Sequence, residues 1–278
     1  MTTNGVTTEE LMQIALDLVG FGAVPGDSRV YVPGRGIRRI MAAIDVDVAE
    51  LRLAKDLGYD CFLAHHPNPA TLTYPEVLDK HVDLMVKAGV APAAARKAIA
   101  ALKEGAAFRY HSGNYDHLVS FARLLGLPFL NIHNPLDELG RRRMQAAIDG
   151  HLRADSKVSD VVAALLTIPE IAAAPTRPEV RVGSPDDRAG RVVVAHGAGT
   201  NGGYEVAKAY FEAGVDTVVY IHVDYGAAQR LRADGRGHLI VAGHIAADAA
   251  GIDPYLDALE AKGLEVTRLS GLGLAKRR

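Results

Sequence analysis

A short apolar run, Cys61-Phe62-Leu63-Ala64, follows a Gly-Tyr-Asp turn and ends in His65-His66-Pro67-Asn68-Pro69. Four apolar residues in succession, without alternation, read as a strand covered on both faces, which constrains the chain to a layered α/β fold. The prolines at 67 and 69 lack backbone donors and force the chain out of the sheet. The histidines therefore sit where the strand meets a loop, the carboxyl end at which ligands gather in open α/β sheets. Neighbouring strand residues point to opposite faces, so both imidazoles serve one site only if the backbone turns there or the site holds two metals. His-His-Pro is thus half of a candidate metal site; the alternative is one solvent-facing and one hydrogen-bonded core histidine.

The chain around this strand alternates helices and strands. Thr7-Thr8-Glu9-Glu10 caps a helix striped by Leu11, Ile14, Ala15 and Val19. A strand over 38–45, a helix over 48–57 and the strand over 60–65 imply a parallel pair with a right-handed crossover. Helical tracts follow at 74–88 and 91–104, a histidine-containing loop at 106–117 and a helix at 118–125. The middle carries helices at 138–152 and 156–166, then a Pro/Ala-rich connector over 168–185 that holds the domain boundary. Strands at 191–196, 217–223 and 238–242 alternate with helices at 204–213, 227–233 and 244–250. A separate helix over 254–262 and an edge strand over 264–269 close the chain. The division expected is an N-terminal α/β half over 1–128, a connecting segment over 129–190 and a C-terminal α/β half over 191–278.

Charge narrows the partners. In 278 residues, 31 Lys and Arg face 33 Asp and Glu for a net charge of −2, which argues against a nucleic-acid or polybasic membrane partner. The single cysteine, Cys61, excludes an intramolecular disulfide framework and any multi-cysteine cluster. No run approaches the ~18 apolar residues of a membrane span, and no secretory pattern opens the chain, so a cytoplasmic protein is expected.

Near the C-terminus, Gly243-His244-Ile245-Ala246-Ala247-Asp248 places His244 and Asp248 one helical turn apart, where one metal can meet both. Strand-His-His-Pro, a His-containing loop ending in Asp before a helix, and Gly-His-x-x-x-acid together resemble the dinuclear-metal Nif-three-like family, often labelled "GTP cyclohydrolase I type 2". The resemblance implies two α/β domains with central mixed sheets flanked by helices, a two-metal site in the cleft between them, and a ring-shaped homo-oligomer such as a hexamer. Carried onto this chain, it implies His65, His66, Asp116, His244 and Asp248 as ligands of two divalent ions (Zn, Mn, Fe, Co or Ni), with His111 as the loop histidine beside them. The chain departs from the family's pattern in three places. Asp248 stands where Glu is usual. The 111–116 loop is one residue longer than His-Thr-x-x-Asp. Ile221-His222-Val223-Asp224 replaces Thr/Ser-Gly-Glu, which leaves His222 or Asp224 as candidates for that role.

Two ions about 3.5 to 4 Å apart can share a hydroxide and polarise a carbonyl, ring carbon or phosphoryl oxygen. The expected activity is therefore hydrolysis or water addition on a small, nucleotide-like or heterocyclic substrate, with His111 or His222 moving the proton. The competing class is a non-catalytic metal-binding or regulatory protein. A third reading, an NAD-dependent oxidoreductase, rests on Gly197-Ala198-Gly199-Thr200-Asn201-Gly202, a formal dinucleotide fingerprint between a strand and a helix, although the following acid, Asp216, precedes its strand instead of ending it. An anion at that helix start and a plain glycine turn are the other readings of the loop. His196 could line the same cleft, and His81, His133, His151 and His238 are read as non-ligands.

Overall fold

A computed structural model of the chain describes residues 5–197 and 201–277. The first unit begins with α1 (Thr8–Val19), held by a capping box between Thr7 and Glu10 and ended by Gly20 in the left-handed conformation. β1 (Arg29–Val32), β2 (Arg39–Ala43), β3 (Cys61–Ala64) and β4 (Phe129–Asn131) lie in the order β1-β4-β3-β2, β1 antiparallel and the rest parallel. α2 (Val48–Asp56) links β2 to β3, and α3 (Tyr74–Val77), α4 (Lys80–Lys87), α5 (Pro92–Ser112) and α6 (His117–Leu125) link β3 to β4. After β4 come α7 (Asn134–His151), α8 (Val158–Leu165) and α9 (Pro169–Ala173).

The second unit repeats the plan. β5 (Glu179–Val182), β6 (Val192–Val194), β7 (Thr217–Tyr220) and β8 (His238–Val241) lie in the order β5-β8-β7-β6, again with the first strand antiparallel. The antiparallel strands share even an irregularity of register, between Val30 and Val32 in one sheet and between Val180 and Val182 in the other. α10 (Gly203–Glu212) and α11 (Tyr225–Asp234) connect the strands, and α12 (His244–Ala261) follows β8 as α7 follows β4. The expected mixed α/β architecture with two sheets flanked by helices is what the chain adopts.

The layers run helix, sheet, helix, sheet, helix, with α7 and α12 in the middle. One core packs Ile40, Cys61, Leu63 and Leu130 of the first sheet on α1 and the far end of α12 (Ile252, Tyr255, Leu256, Leu259). Another packs Val194, Val219 and Ile240 of the second sheet on α8, α7 and the near end of α12 (Ala246, Ala247, Ala250). Because α12 spans both cores, the chain is carried back to the first sheet, where β9 (Glu265–Arg268) pairs in parallel with β2. Residues 191–278 are therefore not a self-contained half. Likewise, α4 and α5 from the first 128 residues pack through Met85, Ala95 and Ile99 on the outer side of the second sheet.

Four local expectations are corrected. The helix expected to end at 250 continues through Pro254 to Ala261. Pro254 has no N–H for the Ala250 carbonyl, but Arg143 of α7 donates a guanidinium N–H to that oxygen while pairing with Glu170 at 3.1 Å. α5 likewise runs through Gly105 to Ser112, so 106–112 is helix and not loop. The tract 74–88 is split into α3 and α4, and β5 lies inside the segment read as connector.

α7 and α12 touch backbone to backbone. A Cβ on Gly140 would lie 3.0 Å from the Ala247 carbonyl oxygen, and one on Gly251 would overlap the Leu136 carbonyl oxygen. Gly105, by contrast, faces open space. Gly251→Ala is expected to lower stability by about 1 to 3 kcal/mol through overpacking, whereas Gly105→Ala raises it by roughly 0.5 to 1 kcal/mol through helix propensity. Urea denaturation of both variants checks this, and an unchanged Gly251→Ala midpoint would refute the crossing's role.

Candidate metal centre

The turn after β3 aims two adjacent imidazoles into one space. The backbone N–H groups of His65 and His66 both reach the Ile44 carbonyl, at 3.2 and 2.9 Å, so the strand no longer alternates there. The two rings lie 5.3 Å apart. Each ring is then oriented through Nδ1: His65 to the Ile132 carbonyl at 2.9 Å and His66 to Asp45 at 2.7 Å. His133, just after β4, is held in the same way by the buried Asp27 carboxylate at 2.7 Å. All three leave Nε2 facing the interior of the cleft, the arrangement that outer partners impose on ligating histidines.

Two helix starts supply the carboxylates. His133-x-x-x-Asp137-x-x-Gly140 opens α7 and His244-x-x-x-Asp248-x-x-Gly251 opens α12, the same motif in each unit. The glycine crossing brings the two motifs face to face. Asp248 Oδ2 lies 3.3 Å from His244 Nε2, 3.4 Å from His66 Nε2 and 3.9 Å from His65 Nε2. Asp137 Oδ1 lies 3.2 Å from His65 Nε2 and 3.6 Å from His196 Nε2, and Oδ2 lies 3.6 Å from His133 Nε2. Among the described residues, three groups have every ligand atom within 4.8 Å of the others: His66, His244 and Asp248; His65, Asp137 and Asp248; and His65, His66 and His133. The first two are triads that share Asp248.

The polar atoms at the centre are not satisfied by protein. His65 Nε2, both ring nitrogens of His196, Asp137 Oδ1 and Asp248 Oδ2 are buried without a hydrogen-bond partner among the described residues. Buried polar groups normally have partners, and several unpartnered ones converging on one point are the donor set a divalent ion requires. Imidazole and carboxylate together suit a transition ion. The residues therefore fit a metal.

The charged groups at the centre shift one another. Burial pushes Asp137 upward, but His133, His196 and His65 outweigh it and hold the carboxyl well below the usual range. Burial likewise opposes Asp248, and the close approach of the His66 ring at 3.4 Å, with the nearby His65, lowers it. Burial pulls His133 down, yet Asp137 and Asp27 raise it to about 9. Burial keeps His196, His222 and His244 below their ordinary value.

Of the residues expected from sequence, His65, His66, His244 and Asp248 come together. Asp116 does not: its carboxylate pairs with Arg123 at 3.1 Å, half exposed, and lines a separate hollow with Tyr115 and Leu72. His111 is exposed near the end of α5, because that helix continues past Gly105 and carries it away. His222 lies on the wall of the cleft, its ring 4.8 Å from that of His244. Asp224 caps α11 by accepting from the Ala227 N–H at 2.8 Å. Asp137 is not among the residues expected from sequence, although His133-Asn134-Pro135-Leu136-Asp137 keeps the His-Thr-x-x-Asp spacing without the extra residue and follows an apolar strand, and His133, read as a non-ligand, borders the centre. Of the glycine loop, residues 198–200 lie outside the described residues. Asp216 accepts from the Arg191 backbone N–H at 2.7 Å, a turn-bracing role.

The cleft holds about 360 Å³ and draws its lining from both units, including Asp45, His66, His196, His222, His244 and Asp248. Its remaining wall is aromatic: Tyr74 and Tyr110 stack with centroids 4.4 Å apart. Among the described residues no helix is long and apolar enough to cross a membrane.

The raised His133 value sets a pH dependence for metal-free protein. Its folded value of about 9 exceeds the ordinary 6.5, so this stabilisation is fully present below pH 6.5 and is lost as pH rises through about 9. Melting temperatures of metal-free protein from pH 6 to 10 are expected to fall across that window, and Asp27→Asn, which removes one of the raising charges, is expected to narrow it. A flat profile would contradict the assignment.

The chain has solved relatives of the same architecture. A NIF3 superfamily protein from Sphaerobacter thermophilus is 51% identical, with a TM-score of 0.95 over 97% of this chain and 100% of that one. Reduced HcgD from Methanocaldococcus jannaschii shares the fold at 14% identity and a TM-score of 0.58, over 95% of this chain and 99% of that one. A Bacillus cereus protein related to NIF3 does so at 12% identity and a TM-score of 0.54, over 96% and 97%. No protein-family profile and no curated protein matches the sequence. With half its residues identical to the Sphaerobacter protein over nearly the whole of both chains, this protein belongs to the NIF3 superfamily.

Proposed function

We propose that the protein is a dinuclear divalent-metal hydrolase acting on a small substrate, with a nucleotide or other heterocycle as the class that fits. The observation that carries this reading is the pair of triads sharing Asp248, His66 with His244 and His65 with Asp137, whose donor atoms are buried and otherwise unpartnered. His65, His66, Asp137, His244 and Asp248 would hold the ions, whose identity among Zn, Mn, Fe, Co and Ni the donor types leave open. When bound, such ions acidify water and polarise a carbonyl or phosphoryl oxygen.

The chain's own residues supply the rest. The stacked Tyr74 and Tyr110 offer a flat wall for a ring, and the cleft's size matches a small molecule. His222, kept neutral by burial and by the neighbouring His244, is suited to accept a proton at the cleft wall. Asp45 and Asp27 hold the rings of His66 and His133 in orientation. His111, exposed on α5, takes no part in this reading.

The working form in this proposal is a cytoplasmic homo-oligomer. Phe108, Tyr115 and Leu124 are 73%, 65% and 82% exposed. A second copy could cover them. Light scattering of the purified protein is expected to give a mass of several chains, and a monomer would refute it.

Metal analysis of tag-free protein is expected to find two equivalents in the wild type, none in Asp248→Ala, one in Asp137→Ala and two in Asp116→Ala. Loss of metal in Asp116→Ala with retention in Asp137→Ala would overturn the ligand set. A panel of phosphate esters, nucleotides and cyclic amides, run on metal-loaded protein with His66→Ala as control, tests the activity. Full metal occupancy with no turnover by any substrate would favour a binding or regulatory role. Because a ligating imidazole must be unprotonated, uptake of metal is expected to release protons, measurable by calorimetry in buffers of different ionisation enthalpy.

A further inference from the structure

The two triads are unequal in their access to solvent. The side chains of His65 and Asp137 are each 1% exposed, whereas those of His66 and His244 are 25% and 39% exposed. Beside the buried triad lies a further imidazole, His196, just beyond β6. Its side chain is 2% exposed, its Nε2 is 3.6 Å from Asp137 Oδ1, and neither ring nitrogen has a hydrogen-bond partner among the described residues. The other buried histidines of the centre are anchored through Nδ1 by a carbonyl or a carboxylate; His196 is not. An imidazole sealed from water with no hydrogen bond at either nitrogen is disfavoured on folding unless something else takes a lone pair.

We propose that His196 is a protein ligand of the ion held by His65, Asp137 and Asp248, giving that position four protein donors while the His66, His244 and Asp248 position keeps three. The inference rests on the two-metal reading above and assigns different duties to the two positions. Four protein donors in a dry pocket make a closed, structural centre, and three donors facing a cleft leave room for water and substrate. The motifs His-His-Pro and His-x-x-x-Asp do not contain this ligand. It comes from the second unit's strand layer, so the buried ion would tie the two units together.

The test uses full-length, tag-free protein loaded with Co(II) and challenged with a chromophoric chelator. Wild-type protein is expected to release one equivalent quickly and the second slowly. His196→Ala is expected to release the second at least ~10-fold faster, or to bind only one equivalent. His196→Cys provides a signal that does not depend on lost stability, because a thiolate on cobalt adds a near-ultraviolet charge-transfer band that the wild type lacks. Two equivalents with wild-type release kinetics in His196→Ala, together with no new band in His196→Cys, would overturn the role of His196 and leave the two-metal reading intact. Uptake of less than half an equivalent by the wild type would overturn that reading itself.

Discussion

The backbone contact between α7 and α12 is the constraint on which the rest depends. Gly140 and Gly251 allow the helices to meet without side chains between them, and Asp137 and Asp248 sit on those helices one turn nearer the N-termini. With any larger residue at the crossing the two carboxylates would move apart, and the histidines behind β3 would no longer reach both. The same two helices separate the sheets and supply apolar surface to each. Fold and site therefore share a single packing event, and the interior cannot rearrange there without disturbing the candidate ligands.

The centre is costly as a purely protein structure. Two buried carboxylates and several imidazoles converge with atoms that no protein group satisfies, so the surrounding packing must hold them in place against their own solvation. That packing is visible in the anchors: Ile132 for His65, Asp45 for His66 and Asp27 for His133. Each anchor comes from a different element, which spreads the positioning over the strand ends of the first sheet instead of leaving it to one loop.

Much of the fold was legible because its signals are local. The apolar run at 61–64, the capping residues before α1 and α2 and the helix-strand rhythm after 191 are read from neighbouring residues and recur in the structure. Where the reading failed, a distant residue had changed the local rule. Pro254 reads as a helix boundary until Arg143 takes the Ala250 carbonyl. The final strand reads as an edge of the second unit until α12 carries it to β2. The loop motif points to Asp116, which pairs with Arg123 at the surface, whereas the strand that leads to the centre is β4 and the acid that follows it is Asp137.

By itself the sequence determined that two histidines end a buried strand and that His244 and Asp248 share a helix face. These follow from periodicities of two and 3.6 residues, which any short segment displays. Only the tertiary structure decided that Asp137 and not Asp116 meets them, that His196 and His222 line the same cleft, and that a repeated His-x-x-x-Asp-x-x-Gly motif faces its own copy. Those outcomes depend on which helices can approach closely, and that is a property of two glycines far apart in the chain and adjacent only once both sheets have packed.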